Sequence, residues 1–157
     1  MLRTGLGYNI SDNNHNVLLG YGYLLSGNYV PQTEDKVVVN EHRIFQQFTS
    51  KDRIGIVSLT HRYRFEQRFI EGAYKIRLRY FLAAKLPLIK AEDSHSMLYL
   101  SAYNEVFLNT KSAFFDRNRV YVGVGYQLNK QIRIEAGYMN QLFESSSRDQ
   151  LNVMTLI

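Results

Sequence analysis

The chain has 157 residues, enough for one domain of ordinary size, and 45% of them are hydrophobic against 21% charged, which excludes disorder and collagen-like structure. It contains no cysteine, so disulfides, thiolate nucleophiles and thiolate metal sites are ruled out. The net charge of +5 would in a soluble protein raise nucleic acid or acidic surfaces as partners, yet the absence of any run of about 18 apolar residues excludes only a transmembrane helix. A transmembrane β-barrel stays open, because its strands carry apolar residues at alternate positions. Behind Met1, Leu2 and Arg3 there is no apolar stretch with a small-residue cleavage site, so no signal peptide is read at the start.

Period-2 alternation recurs almost end to end, with no helical period of useful length. The expectation is an all-β single domain over 1–157, an antiparallel up-and-down meander of nine strands. The first two strands fall near 2–10 and 17–27. A third begins near Val39 and is expected to end in a tight turn at Lys51 and Asp52, which would set Glu41 opposite Arg62 and Arg43 opposite Thr60. From 54 to 68 the odd positions are Val57, Leu59, His61, Tyr63 and Phe65, whereas the even ones are Ser58, Thr60, Arg62, Arg64, Glu66 and Arg68. After a turn at Glu71 and Gly72 one face carries Tyr74, Ile76, Leu78, Tyr80, Leu82 and Ala84, the other Lys75, Arg77, Arg79 and Lys85. A two-residue hairpin there places Glu66 against Arg77, Arg64 against Arg79 and Tyr63 against Tyr80, so both faces stay consistent.

Further strands are expected at 97–109, 118–128, 132–143 and 150–157. In two of them Val120, Val122, Val124 and Tyr126, then Ile134, Ala136 and Tyr138, alternate with Arg119, Tyr121, Gly123 and Gly125, then Arg133, Glu135 and Gly137. Keeping these faces aligned requires an odd connection, read as a three-residue turn at Asn129, Lys130 and Gln131. The remaining links, 11–16, 28–38, 91–96, 110–116 and 144–148, are polar.

Two opposite readings of the faces are open. A soluble sandwich or lipocalin-like barrel would bury the apolar face and wet the charged one. A membrane barrel would do the reverse. The segment 53–69, read as one strand, would span on the order of 50 Å, long for a globular strand and natural for a tilted strand crossing a bilayer. Tyr8, Tyr21, Tyr23, Tyr63, Tyr74, Tyr80, Tyr126 and Tyr138 lie on the apolar stripe, many toward strand ends, as in interfacial girdles. Gly5, Gly7, Gly20, Gly22, Gly123 and Gly125 share the charged face, where they make room for large side chains or permit bending.

The segments EHRIFQQF (41–48), HRYRFEQRF (61–69), YKIRLRY (74–80), LSAYNEVFLN (100–109) and FDRNRVYVGVGYQLNKQIRIEAGYMNQ (115–141) together resemble the bacterial outer-membrane domain of unknown function 2490 family. The resemblance covers most of the chain in order and spacing. It implies a β-barrel of unestablished function in the outer membrane of Gram-negative bacteria, made with a signal peptide and additional N-terminal strands. Since bacterial barrels have even strand numbers, nine strands are expected to belong to a parent of twelve or ten. Outer-membrane lipids and the barrel-assembly machinery are the partners so implied, and short turns at Lys51/Asp52 and 129–131 would be periplasmic, with the 28–38 and 110–116 loops extracellular.

On this reading the lumen carries Arg43, Arg62, Arg64, Arg68, Lys75, Arg77, Arg79, Lys85, Arg119 and Arg133 against Glu41, Glu66, Glu105 and Glu135. This cationic excess suits either a pore or cavity favouring a small anionic solute, or a plugged lumen held by Arg–Glu pairs. Glu66, flanked by Arg64 and Arg68 and opposite Arg77, is placed to hold the wall together rather than to move protons. His42 and His61 would be cross-strand neighbours on the lipid side, where no further ligand completes a metal site. A lipid-modifying enzyme would need Ser, His and an orienting acid together. Ser58 and Ser101 point inward, so no triad assembles; the expectation is a non-enzyme with no cofactor. Asn104, Asn109 and Asn118 flank the 110–116 loop as a ligand rim or as loop caps. Nucleic acid is not expected, for want of an RNP-like motif.

Overall fold

A computed structural model describes residues 1–11, 14–29, 36–90, 97–110, 114–129 and 131–156. The described chain forms β1 (Leu2–Ser11), β2 (His15–Tyr29), β3 (Lys36–Ile54), β4 (Val57–Ile70), β5 (Ala73–Lys90), β6 (Met97–Asn109), β7 (Phe115–Gln127), β8 (Arg133–Phe143) and β9 (Ser147–Leu156). These pair in chain order into one antiparallel sheet of nine strands, with β1 and β9 at its edges. The all-β meander expected from alternation is therefore present. The 91–96 link, Lys130 and the middles of the 11–16, 28–38 and 110–116 links lie outside the described residues.

The β4–β5 hairpin has the register read from the sequence, with Glu66 opposite Arg77 and Tyr63 opposite Tyr80. Its turn residues Glu71 and Gly72 both have positive φ, 45° and 84°, the pattern of a type I′ turn whose twist matches the strands it joins. Between β7 and β8 the pairing of Val122 with Tyr138 and of Val124 with Ala136 agrees with the odd connection. There the Asn129 side chain accepts from the Gln131 and Ile132 amides at 2.8 Å each.

The β3–β4 turn is corrected. It lies at Gly55 and Ile56 rather than Lys51 and Asp52, so 53–69 is not one strand, and Glu41 faces Ile70 and Arg43 faces Arg68 instead of Arg62 and Thr60. The polar dipeptide looks like a turn, but only Gly55 supplies the positive φ, 58°, that a two-residue hairpin of the II′ kind requires. The strand simply runs on to meet it. Because the turn still has two residues, paired numbers still sum to an odd value and every side chain kept its expected face. His42 and His61 are not neighbours either: they sit opposite Phe69 and Ser50.

Among the described residues the ladder is interrupted at Ile10 in β1 and at two further bulges. One at Leu88 follows Pro87, which has no amide to donate, and one at Asp116 adds a residue to the start of β7.

Burial divides the two faces against polarity. Phe45, Tyr99, Phe107 and Tyr121 are buried, and beside them Glu41, Glu66 (1% exposed), Arg77, Glu105, Glu135 and Gln141, all on the charged face. Leu78, Val122, Val124 and Ile134, on the apolar face, are 42%, 57%, 48% and 45% exposed. With all nine strands in one sheet and no second layer among the described residues, a face is buried only by its own side chains closing over one another. The sheet is therefore curled with its charged face concave and its apolar face convex, the opposite of a soluble barrel.

Candidate functional site

The concave face is organised by carboxylates that each hold several arginines. Alternation delivers these residues to one face, and the antiparallel registers stack them in adjacent rows. Glu66 on β4 meets Arg79 Nη1 at 2.8 Å, Arg64 Nη1 at 3.5 Å and Arg77 Nη1 at 4.0 Å. Glu105 on β6 meets Arg79 Nη2 at 2.6 Å, Arg62 Nη2 at 2.9 Å and Arg119 Nη1 at 3.7 Å. Arg79 thus bridges the two carboxylates. Glu41 receives the Nε and Nη2 groups of both Arg43 and Arg68, at 2.5–3.0 Å. Arg68 belongs to Glu41 and not to Glu66, because the shifted β3–β4 register lays it beside Arg43.

Aromatic rings fill the spaces between these ion pairs. The Arg79 guanidinium lies 4.5 Å and that of Arg119 4.9 Å from the centre of the buried Phe107 ring, while Arg64 covers Phe45 at 4.6 Å and Arg62 covers Phe81 at 4.3 Å. Arg64 also donates from Nε to Gln47 Oε1 at 2.9 Å, and Arg119 from Nε to Gln141 Oε1 at 3.0 Å. The rings need flat ground: Tyr99 lies over Gly125 and Phe45 over Gly20, each so closely that a Cβ on the glycine would enter the ring. These glycines make room for large concave-face side chains.

Sequence reading missed Asp116, which lay within an expected loop. The β7 bulge turns its side chain inward, where it contacts Arg77 Nη2 and Arg117 Nε at 3.3 Å each. Of the buried aromatics it placed Tyr121 on the charged face but missed Phe45, Tyr99 and Phe107, since apolar rings on a charged face break the polarity rule by which faces are read. Arg133 and Glu135 lie away from the belt. Glu135 accepts from the Tyr99 hydroxyl at 3.0 Å, and Lys85 places its Nζ 4.0 Å from the centre of the same ring. Among the described residues Arg53, Lys75, Lys85 and Arg133 make no ion pair.

The three asparagines do not form one rim. Asn104 donates to the Asn118 side chain at 2.7 Å on the convex face, whereas Asn109 accepts from Arg77 Nε at 3.3 Å on the concave one. Odd and even positions of β6 point to opposite faces, so Asn104 and Asn109 are separated by the sheet itself. Asn104 and Asn118 bond each other across the strands, and the middle of the loop they flank lies outside the described residues.

On the convex face the corrected turn assembles a group that sequence reading dispersed. Ser50 Oγ donates to Asp52 Oδ2 at 3.1 Å, His61 Nε2 lies 3.9 Å from the same oxygen, and His61 Nδ1 meets the Tyr80 hydroxyl at 2.9 Å. Serine and histidine both address the acid rather than each other, so the serine proton is directed to Asp52 and not to a histidine base. Among the described residues no group of three or more His, Asp or Glu is placed to hold a metal ion.

A single curled antiparallel meander with a charged, buried concave face and an exposed apolar convex face has the architecture of a β-barrel wall. The chain belongs to the family described as Protein of unknown function (DUF2490), whose model matches residues 1–152. A similar fold occurs in OmpT, an outer membrane protein of Vibrio cholerae solved after in-vitro folding, with a TM-score of 0.53 at 16% identity over 86% of this chain. The match spans 42% of that protein, so the chain covers less than half its length. A search of curated proteins gives no match.

Proposed function

We propose that this chain forms the wall of an outer-membrane β-barrel of a Gram-negative bacterium, its convex face against lipid and its concave face lining the lumen. The observation that carries this reading is the inversion of burial. In water, each Å² of exposed apolar surface costs about 25 cal/mol, a penalty that disappears against hydrocarbon. A soluble lipocalin-like barrel would hide Val122, Val124 and Ile134 and expose Glu66. The shared fold with an outer membrane protein supports the same reading. Its partners are then outer-membrane lipids along the convex face and the barrel-assembly machinery that inserts such proteins.

The ion-paired belt supports a braced wall rather than a mobile arginine filter, because Arg64, Arg77 and Arg79 are already committed to Glu66, Glu105 and Asp116. A lumen favouring small anions is a second reading, supported by Lys75, Lys85 and Arg133, which make no ion pair among the described residues. A non-enzymatic role is supported by the Ser50 hydroxyl donating its hydrogen bond to Asp52 rather than to His61. The test is fractionation and heat-modifiable gel mobility of the full-length protein, followed by conductance in planar bilayers. Recovery in the outer membrane with a heat-modifiable band is expected. Recovery in a soluble fraction with no mobility shift would overturn the proposal.

A further inference from the structure

The basic end of the concave face contains a cavity of about 440 Å³ between the β3–β4 hairpin and the β5 bulge. Its lining combines Arg53, Ser58 and Lys85 with the apolar Ile56, Pro87 and Met97. The polar part follows from the register: Arg53 faces Ser58, Ser58 faces Lys85, and Lys85 faces Ser101. Two cations thus stand one strand to either side of a hydroxyl, about 10 Å apart across the sheet and within reach of each other's space through long side chains.

Neither cation has a carboxylate among the described residues, in contrast with every arginine of the Glu66–Glu105 belt. Glu135, across the Tyr99 ring from Lys85, accepts the Tyr99 hydroxyl at 3.0 Å and forms no ion pair with either cation. Lys85 lies over the Tyr99 ring, and the charge of the described lining is positive. A guanidinium, an ammonium and a hydroxyl lining one space are the donor set for an oxyanion, and the apolar residues of the same lining suit a short hydrocarbon tail that a purely inorganic anion lacks.

We propose that this cavity binds a small amphiphilic oxyanion, its phosphate or carboxylate head held by Arg53, Lys85 and Ser58 and its short apolar tail against Ile56, Pro87 and Met97. The inference deepens the luminal reading of the concave face and rests on it for the route by which the solute arrives. Binding itself is separable, because gel mobility reports the barrel and a titration reports the site.

The experiment is a titration of n-butyl phosphate into the full-length protein refolded in detergent micelles, followed by 31P NMR, with inorganic phosphate and 1-butanol as competitors. Saturable binding is expected, displaced weakly by either competitor alone. Arg53→Gln and Lys85→Gln should each weaken it by tenfold or more, and Lys75→Gln, a cation of the same face outside the cavity, by less than twofold. Butyrate in place of butyl phosphate tells whether carboxylate serves as well as phosphate. Heat-modifiable mobility of each variant separates loss of the site from loss of the fold. Displacement by butanol as strong as by unlabelled butyl phosphate, equal weakening in the Lys75 variant, or no saturable binding by a folded protein would each overturn the proposal.

Discussion

At the Glu66–Glu105 belt each carboxylate is shared by three arginines and each arginine lies on an aromatic ring, a glutamine or a second acid. Further along the same face, at Arg53 and Lys85, cations line a cavity and form no ion pair among the described residues. The two regions share strands, face and charge sign. What differs is the presence of acids close enough to satisfy the bases, and this decides whether a charged residue works as a fastener or stays available to a solute.

The largest effect should come from removing a fastener. Glu66→Gln leaves Arg64, Arg77 and Arg79 buried against one another, and breaking a buried charge cluster in this way costs about 3–5 kcal/mol. The heat-modifiable band should weaken strongly in a urea series, while Lys85→Gln should leave it in place. Equal urea midpoints for the two variants would erase the distinction between the regions. Next comes packing: Gly125→Val drives a side chain into the Tyr99 ring and should destabilise by about 1–3 kcal/mol, as overpacking does. Gly22→Ala, where a Cβ meets nothing nearer than 3.7 Å, is the matched control and should unfold at the wild-type urea concentration.

Conductance sharpens the comparison from the side of function. If current flows, a Lys75/Lys85/Arg133 charge-removal variant should shift the reversal potential toward cations several-fold in permeability ratio. An Arg64/Arg77/Arg79 variant should instead lose folded protein before selectivity. The reverse outcome would make the belt the filter. The smallest effect concerns the hairpin that closes the braced end. Glu71 holds a left-handed φ of 45°, and Glu71→Asn, which completes the Asn-Gly pairing favoured there, should stabilise by about 1 kcal/mol without touching either region. An unchanged or lower urea midpoint would show that the turn is not under that strain.

Much of the fold was legible because its signal is local. The alternation of Arg64, Glu66 and Arg68 with Tyr63, Phe65 and Phe69 needs no knowledge of the rest of the chain, and the Glu71-Gly72 turn set the register of its two strands. The displaced β3–β4 turn shows how tolerant such reading is: Arg43 changed its neighbour but not its face. The site was less legible. Arg62 reaches past β5 to Glu105 on β6, a pairing outside any nearest-strand register. Asp116 turns inward only through a bulge, and Ser50, Asp52 and His61 meet only once the turn is known to lie at Gly55.

The sequence by itself determined the nine alternating strands, their antiparallel order and the division of residues between two faces, because a strand's period of two writes that division into every pair of neighbours. Only the tertiary structure decided which face is concave, which arginine holds which acid and where cations are left unpaired. Those outcomes depend on the curl of the whole sheet and on long side chains reaching across two strands, and no local pattern encodes either distance.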